Sequence, residues 1–208
     1  MLSDVYRGRP VNDDPAWVRR ASPERLELLV RDLTGFVWER DPDRDEDPTD
    51  PASDPPRTTP IPLLTTEEEG FKIILGGING VNVSARSQSL NASVAMVQRK
   101  LAALAGEYVV RTDLALPDGQ RRLLAGVTGA EHPTADELAL RAHIVALVRR
   151  LYGERVAVDS PQVTTWLGLY RGLYFDTTQM GAVQGTASER AWRGLVVAML
   201  RSPRMLLY

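Results

Sequence analysis

The sequence predicts a mainly α-helical protein, an irregular multi-helix domain that carries a long acidic, proline-rich loop. Two T-x-x-E motifs, beginning at Thr134 and Thr186, have the spacing of a capping box at a helix start. In such a box the Thr hydroxyl accepts the N3 amide and the Glu accepts the cap amide, so two otherwise unpaired backbone donors are satisfied. A third start is predicted at Ser160, because serine is a good cap and the proline that follows fits the first helical position.

The first 60 residues are predicted to form an N-terminal arm with a helix (1–40) and an acidic proline-rich spacer (41–60). Ser22 and the proline after it start the helix, whose apolar stripe carries it to about Arg40. Gly35 is expected to shorten or bend its last turn, since glycine costs about 1 kcal/mol in a helix relative to alanine. The spacer holds six prolines, which exclude a helix or a central strand.

Residues 61–208 are predicted to form one helical domain. Caps, apolar positions spaced by 3.6 residues, and Gly153 as a helix terminator define its elements. In order they are a short helix after Thr65 or Thr66, a helix from Asn91 or Ser93 to about Thr112, a turn at 116–119, a short helix at 121–127, helices at 135–152, 161–174 and 187–201, and a last turn that Ser202 caps.

Composition excludes several classes of function. The net charge is −2 and charges of both signs are interspersed, so nucleic acid is not expected as a partner. The absence of cysteine excludes disulfides, thiolate metal sites, iron–sulfur clusters, a cysteine nucleophile and covalent haem attachment. The opening residues 1–7 contain no apolar h-region and no run of 18 apolar residues is present, so neither a signal peptide nor a membrane span is predicted. Arginine outnumbers lysine 23 to 2, which is typical of high-GC bacterial coding.

The spacer contains a candidate calcium site. Its carboxylates recur at every second position, as an EF-hand loop presents oxygens to calcium, and a register that starts at Asp43 continues with Asp45 and Asp47 and has Asp54 at its twelfth position. The sixth position of that register is Pro48, where the EF-hand turn needs glycine, and no helix is predicted to follow. A solvated acidic linker is therefore favoured over a calcium site. No other metal site, no cofactor site and no catalytic residue is predicted.

Aromatic and histidine residues supply the other candidates. Trp166, Tyr170 and Tyr174 recur at i, i+4 and i+8 of one predicted helix. Such a stripe is either core or an exposed face for a partner, and these three residues are the predicted partner-binding set. His132 precedes a predicted helix and His143 lies beside the apolar face of that helix. Neither has a Ser, Asp or Glu at a spacing that indicates a catalytic triad.

Four segments in the second half resemble the closing helical region of large exported proteins from planctomycetes and myxobacteria, in which a helical domain often accompanies a haem c domain. The segments are 138–153, 159–163, 191–193 and 199–208, the last reading MLRSPRMLLY. Residues 63–65, 70–71 and 76–80 are similar to an upstream loop of the myxobacterial members. The resemblance spans about residues 61–208. It carries over no catalytic residue, and the chain departs from these proteins in having no C-x-x-C-H, so it cannot itself hold haem c.

These features together favour a non-enzymatic interaction or structural module of an exported bacterial protein assembly. One alternative, which the resemblance implies, is a redox-associated accessory subunit that docks a haem protein. The other is a hydrolase whose active site no sequence motif indicates. The expected partner is a protein, and in the first alternative that partner is a haem protein. The expected location is periplasmic or extracellular, with the cytoplasm as the alternative.

Overall fold

The computed structural model describes residues 20–40, 61–66, 71–78, 83, 91–176 and 185–207. Over these residues the chain is mainly helical, which confirms the predicted fold class. Two-residue strands β1 (Glu39–Arg40) and β2 (Ile61–Pro62) pair antiparallel, and 3-10 turns span Asp118–Gln120 and Pro203–Met205. The helices are α1 (Pro23–Thr34), α2 (Phe71–Ile74), α3 (Ala92–Ala115), α4 (Glu137–Tyr152), α5 (Pro161–Phe175) and α6 (Ala187–Leu200).

Helix α6 forms the centre of the core, where it packs against both α3 and α5. Its Trp192, Leu195 and Met199 are fully buried. The α3 contact is close, because a Cβ added to Gly106 would lie 2.5 Å from Val197 Cγ2. Helix α4 packs on α5, while α1 and α2 pack on α3. The chain from α3 to the last 3-10 turn therefore shares one core, and α1 is attached to it through α3.

Four predicted helix starts are confirmed by side-chain caps. The hydroxyls of Ser22 and Ser160 accept the amides three residues ahead, each at 3.3 Å. Asn91, rather than Ser93, caps α3 by accepting the amide of residue 94 at 3.0 Å. The box at Thr186 is complete, since its hydroxyl accepts the Glu189 amide at 3.1 Å and the Glu189 carboxylate accepts the Thr186 amide at 2.7 Å.

The capping box predicted at Thr134 is wrong. Helix α4 begins at Glu137, and its cap residue Asp136 makes no side-chain cap hydrogen bond. The Glu137 carboxylate instead accepts from Arg141 at 2.9 Å and from Arg171 of α5 at 2.7 Å, so it does not reach back to the cap. The amide of Thr134 donates to Nδ1 of His132 at 3.3 Å. The residues before α4 therefore form a turn.

Two predicted helices also need correction. Helix α1 ends at Thr34, because Gly35 adopts a left-handed φ of 75° that closes the helix, and the chain then extends into β1. Residues 121–127 are not helical. The buried carboxylate of Asp113 accepts the amides of Arg122, Leu123 and Leu124 at 3.2, 2.7 and 2.9 Å, so these amides are unavailable for a helical ladder.

The short β-ladder brackets the acidic spacer. Glu39 lies opposite Pro62, and Arg40 lies opposite Ile61, so the residues that flank the spacer are held side by side. The spacer itself, 41–60, lies outside the described residues, as do most of the N-terminal arm and Glu67, Glu68 and Glu69.

Candidate functional site

A surface groove lies where the C-terminal ends of α4 and α6 meet the first turns of α5. Its volume is about 280 Å³, close to the lower end of the range for small-ligand pockets. It is lined by Tyr152, Gln162, Thr165, Trp166, Ser202 and Arg204. We call it the Trp166 groove, after the half-buried indole that lines it.

Local sequence signals place each lining residue. Gly153, with a φ of 71°, ends α4 so that Tyr152 is its last residue. The Ser160 cap starts α5 and sets its first two turns, from which Gln162, Thr165 and Trp166 come. Ser202 starts the last 3-10 turn and accepts the amide of Arg204 at 3.4 Å, which brings the guanidinium to the groove.

Glu154 fixes the polar side of the groove. Both of its carboxylate oxygens accept from Arg204 Nη1, at 2.9 and 3.0 Å, and Oε2 also accepts from the Gln162 amide at 3.2 Å. The guanidinium carbon of Arg204 lies 5.5 Å from the centre of the Tyr152 ring, within the range of a cation–π contact. Three separate segments are thereby tied together around one wall of the groove.

Tyr152 forms the other wall as a neutral hydrogen-bonding ring. Its hydroxyl donates to the Met199 carbonyl at 2.9 Å. Burial raises the pKa of Tyr152, and the hydrogen bond with Ser202 and the charge of Arg204 offset only part of that rise. The phenol therefore keeps its proton at physiological pH. It positions α4 against α6 and leaves its ring face to the groove and to Arg204.

The structure separates the three aromatic residues predicted to bind a partner. Trp166 lines the groove and is half-buried. Tyr170, predicted as a partner contact, is fully buried in the fold, where its ring packs on Trp192 at 5.0 Å between α5 and α6. Tyr174 is half-buried, with its ring against those of His132 and Phe175 at 5.3 and 5.2 Å. The stripe is therefore mostly internal, and its N-terminal member reaches the groove.

The two histidines occupy structural positions. Nδ1 of His132 accepts backbone amides in the turn before α4, at 3.3 and 3.4 Å, and its ring lies edge-on to Tyr174. The His143 ring lies edge-on to Trp192 at 6.1 Å. It also fills the space over Gly126, where an added Cβ would be 3.0 Å from the ring. Neither histidine lines the Trp166 groove.

A buried carboxylate that the sequence did not indicate lies beneath α5 and α6. Glu131 is 5% exposed and accepts hydrogen bonds from Trp192 Nε1 at 3.0 Å and from the Ser188 hydroxyl at 3.2 Å. It also accepts from the hydroxyl of Thr128 at 2.9 Å and from the Gly129 amide at 3.1 Å. No local motif indicates this role, because its partners on α6 are 57 and 61 residues away.

These hydrogen bonds keep Glu131 ionised. Burial alone raises the pKa of this carboxyl, but the hydrogen bonds from Thr128 and Trp192 outweigh it and hold the pKa below the usual 4.5. The adjacent Tyr170 hydroxyl donates to the Glu131 carbonyl at 3.0 Å and lies 2.9 Å from the Ser188 hydroxyl. Because its neighbouring donors satisfy the carboxylate, this cluster is a structural tie.

The described residues contain neither a metal-binding cluster nor a membrane-spanning helix. Within them, no group of three or more His, Asp or Glu side chains is placed to hold a metal ion. No helix in the same part of the chain is long and apolar enough to cross a membrane. The calcium candidate formed by Asp43, Asp45, Asp47 and Asp54 lies outside the described residues.

No protein-family model, curated protein or solved structure matches the chain. The resemblance of residues 61–208 to exported helical proteins therefore stays a prediction. Function is inferred from the Trp166 groove itself.

Proposed function

We propose that the chain is a non-enzymatic interaction module of an exported bacterial protein assembly, and that a partner protein inserts a side chain into the Trp166 groove. The observation that carries this proposal is the groove: a concave site of about 280 Å³ with a half-buried indole beside a tyrosine ring and an arginine. Trp, Tyr and Arg are the residue types that dominate binding energy at protein interfaces.

The polar groups of the groove support binding rather than catalysis. The hydroxyl of Thr165 donates to the Pro161 carbonyl at 2.9 Å, and that of Tyr152 donates to the Met199 carbonyl. Arg204 is paired with Glu154. A nucleophilic site would place a hydroxyl against a base, whereas here the hydroxyls of Tyr152 and Thr165 bond backbone carbonyls, that of Ser202 accepts a backbone amide, and no histidine lines the groove. Such pre-positioned groups suit a partner, because little side-chain freedom is lost on binding.

Site-specific photocrosslinking in the native host tests the proposal. A photoreactive phenylalanine replaces the exposed Thr165 at the rim of the groove, and a matched control carries it at Leu138, which is 77% exposed near the opposite end of α4. We expect the groove position to yield a crosslinked protein that the control does not. Fractionation of the same cells shows whether that complex is outside the cytoplasm.

The purified crosslinked protein then gives the decisive measurement. We expect Trp166→Ala to weaken its binding by roughly tenfold or more, as removal of an interface anchor does, and Leu138→Ala to leave it unchanged. Equal crosslinking from both positions, or equal loss of affinity in both variants, would place the interface elsewhere and overturn the proposal.

A further inference from the structure

Basic residues outnumber acidic ones in the segments that line the Trp166 groove. Five exposed arginines lie within three residues of a lining residue or line the groove themselves, against two acidic residues, Glu154 and Asp159, in the same window: Arg149, Arg150, Arg155, Arg201 and Arg204. Arg149 and Arg150 belong to the last turn of α4, which ends at Tyr152, and Arg201 lies beside Ser202 at the end of α6. The whole chain has a net charge of −2, so its charge is unevenly distributed and this end is basic.

Neutralisation within the fold does not account for these charges. Among the described residues, Arg204 alone of the five takes part in an ion pair, with Glu154. Arginines in the last turn of a helix interact favourably with its dipole, and this explains Arg149 and Arg150 in part. Arg155 lies beyond the end of α4, where that effect has fallen away. No acidic side chain among the described residues pairs with the other four arginines, so their charge can meet that of a partner.

We propose that the groove recognises an acidic polypeptide segment with one apolar or aromatic side chain, which contacts Trp166 while the flanking carboxylates face the arginines. This inference rests on the proposed function and names the chemistry of its partner. Charge complementarity of this kind steers association and selects among partners. The guanidinium groups match carboxylates in planar, two-point geometry.

The groove favours a peptide over other anions. A cavity of about 280 Å³ with an aromatic wall accommodates a single large side chain. A nucleic-acid duplex presents phosphates on a long surface and is bound by an extended basic face, whereas the net charge of this chain is negative. A duplex therefore leaves the aromatic part of the groove unused.

Titration of the isotope-labelled full chain with synthetic dodecapeptides tests the inference by nuclear magnetic resonance. The acidic probe contains Glu and Ser with one central Leu, and three matched probes replace Glu by Gln, Glu by Lys, or the Leu by Ser. We expect the acidic probe to shift the Trp166 indole signal and the amides of residues 155 and 201. Its affinity should exceed that of the Gln probe by roughly tenfold and should fall with salt between about 50 and about 300 mM.

Charge reversal supplies the control within the protein. We expect Arg150→Glu and Arg201→Glu each to weaken the acidic probe by roughly fivefold or more, and Arg111→Glu, an exposed site on α3 away from the groove, to have no effect. Arg150→Gln should give a smaller loss than Arg150→Glu.

The outcomes distinguish this inference from the proposed function. Tighter binding of the Gln or Lys probe at the groove would overturn the acidic preference and leave an interaction module with another specificity. Shifts confined to other surfaces, or tighter binding of a short DNA duplex or of anionic vesicles at the groove, would also overturn it. If the groove position yields no crosslinked protein in the host, that result contradicts the proposed function, whichever peptide binds in solution.

Discussion

The indole N–H of Trp192 donates to the carboxylate of Glu131 at 3.0 Å, across 61 residues of sequence. The same carboxylate accepts from the hydroxyl of Ser188, one turn earlier on α6. Both α6 residues are buried, and Tyr170 of α5 bonds the Glu131 carbonyl. One acidic residue in the turn before α4 therefore fixes that turn against the two helices that form the core.

Replacement of Glu131 by glutamine is expected to lower the free energy of unfolding by about 2 kcal/mol, because hydrogen bonds to a charged group are among the stronger ones. Glutamine keeps the size of the side chain but turns one acceptor into a donor, which then faces the donors of Trp192 and Ser188. Urea denaturation at neutral pH measures the loss. Glu107→Gln, at an exposed site on α3, is the matched control and should leave stability nearly unchanged; similar losses in the two variants would contradict the role given to Glu131.

The same carboxylate predicts an acid dependence of stability. Its pKa in the folded protein lies below the usual 4.5, so the folded state binds the proton less readily than the unfolded state. The carboxylate therefore contributes its full stabilisation at pH values above its pKa in the unfolded state. That stabilisation is lost as the pH falls through its pKa in the folded state. Between about pH 6 and about pH 3, the wild type should therefore lose more stability than Glu131→Gln. If the free energy of unfolding changed equally with pH in the two proteins, Glu131 would not contribute to the acid dependence of stability.

Removal of the Thr186 hydroxyl tests the capping box that is formed. Thr186→Ala should lower the free energy of unfolding by about 1 kcal/mol or somewhat more, because the hydroxyl accepts the Glu189 amide and also donates to the Gly129 carbonyl at 3.1 Å. Thr134→Ala should stay within about 0.5 kcal/mol of the wild type, since no box forms there. Thr186→Ser keeps the hydroxyl and should restore most of the loss. Equal losses at the two threonines would contradict the observed start of α4.

The contrast between these two threonines shows how far the fold follows from sequence. The caps at Ser22, Ser160 and Thr186 are local, so residues within one turn decide them. At Thr134 the same motif fails because Glu137 bonds Arg171, which lies 34 residues away on α5. The stretch 121–127 was predicted as a helix for the same reason: nothing local indicates that Asp113 takes its amides.

The candidate site was predictable only in part. The aromatic stripe indicates Trp166 and Tyr170 alike, since both lie on one face of α5. Packing of α6 against that face buries Tyr170 and leaves Trp166 at the groove. The wall formed by Glu154 and Arg204 joins residues 50 apart, and no spacing in the sequence marks that pair.

Substitution of Gly106 tests the close contact between α3 and α6. Alanine is the better helix former by about 1 kcal/mol, but its Cβ at this position would lie 2.5 Å from Val197 Cγ2. Valine is stiff at χ1, so its methyl group cannot turn away without cost, and overpacking of this kind costs about 1–3 kcal/mol. We therefore expect Gly106→Ala to lower the free energy of unfolding by about 1 kcal/mol overall.

The control for Gly106 is Gly168 in α5, where an added Cβ meets nothing within 4 Å. Gly168→Ala should therefore gain up to about 1 kcal/mol from helix propensity alone, so the two substitutions should shift the urea midpoint in opposite directions. Adding Val197→Ala to Gly106→Ala removes the clashing methyl group. The double variant should therefore lose less unfolding free energy than the two single variants lose in sum, and a double-mutant cycle measures this difference directly. A stabilising Gly106→Ala, or strict additivity with Val197→Ala, would show that α3 and α6 do not meet at this point.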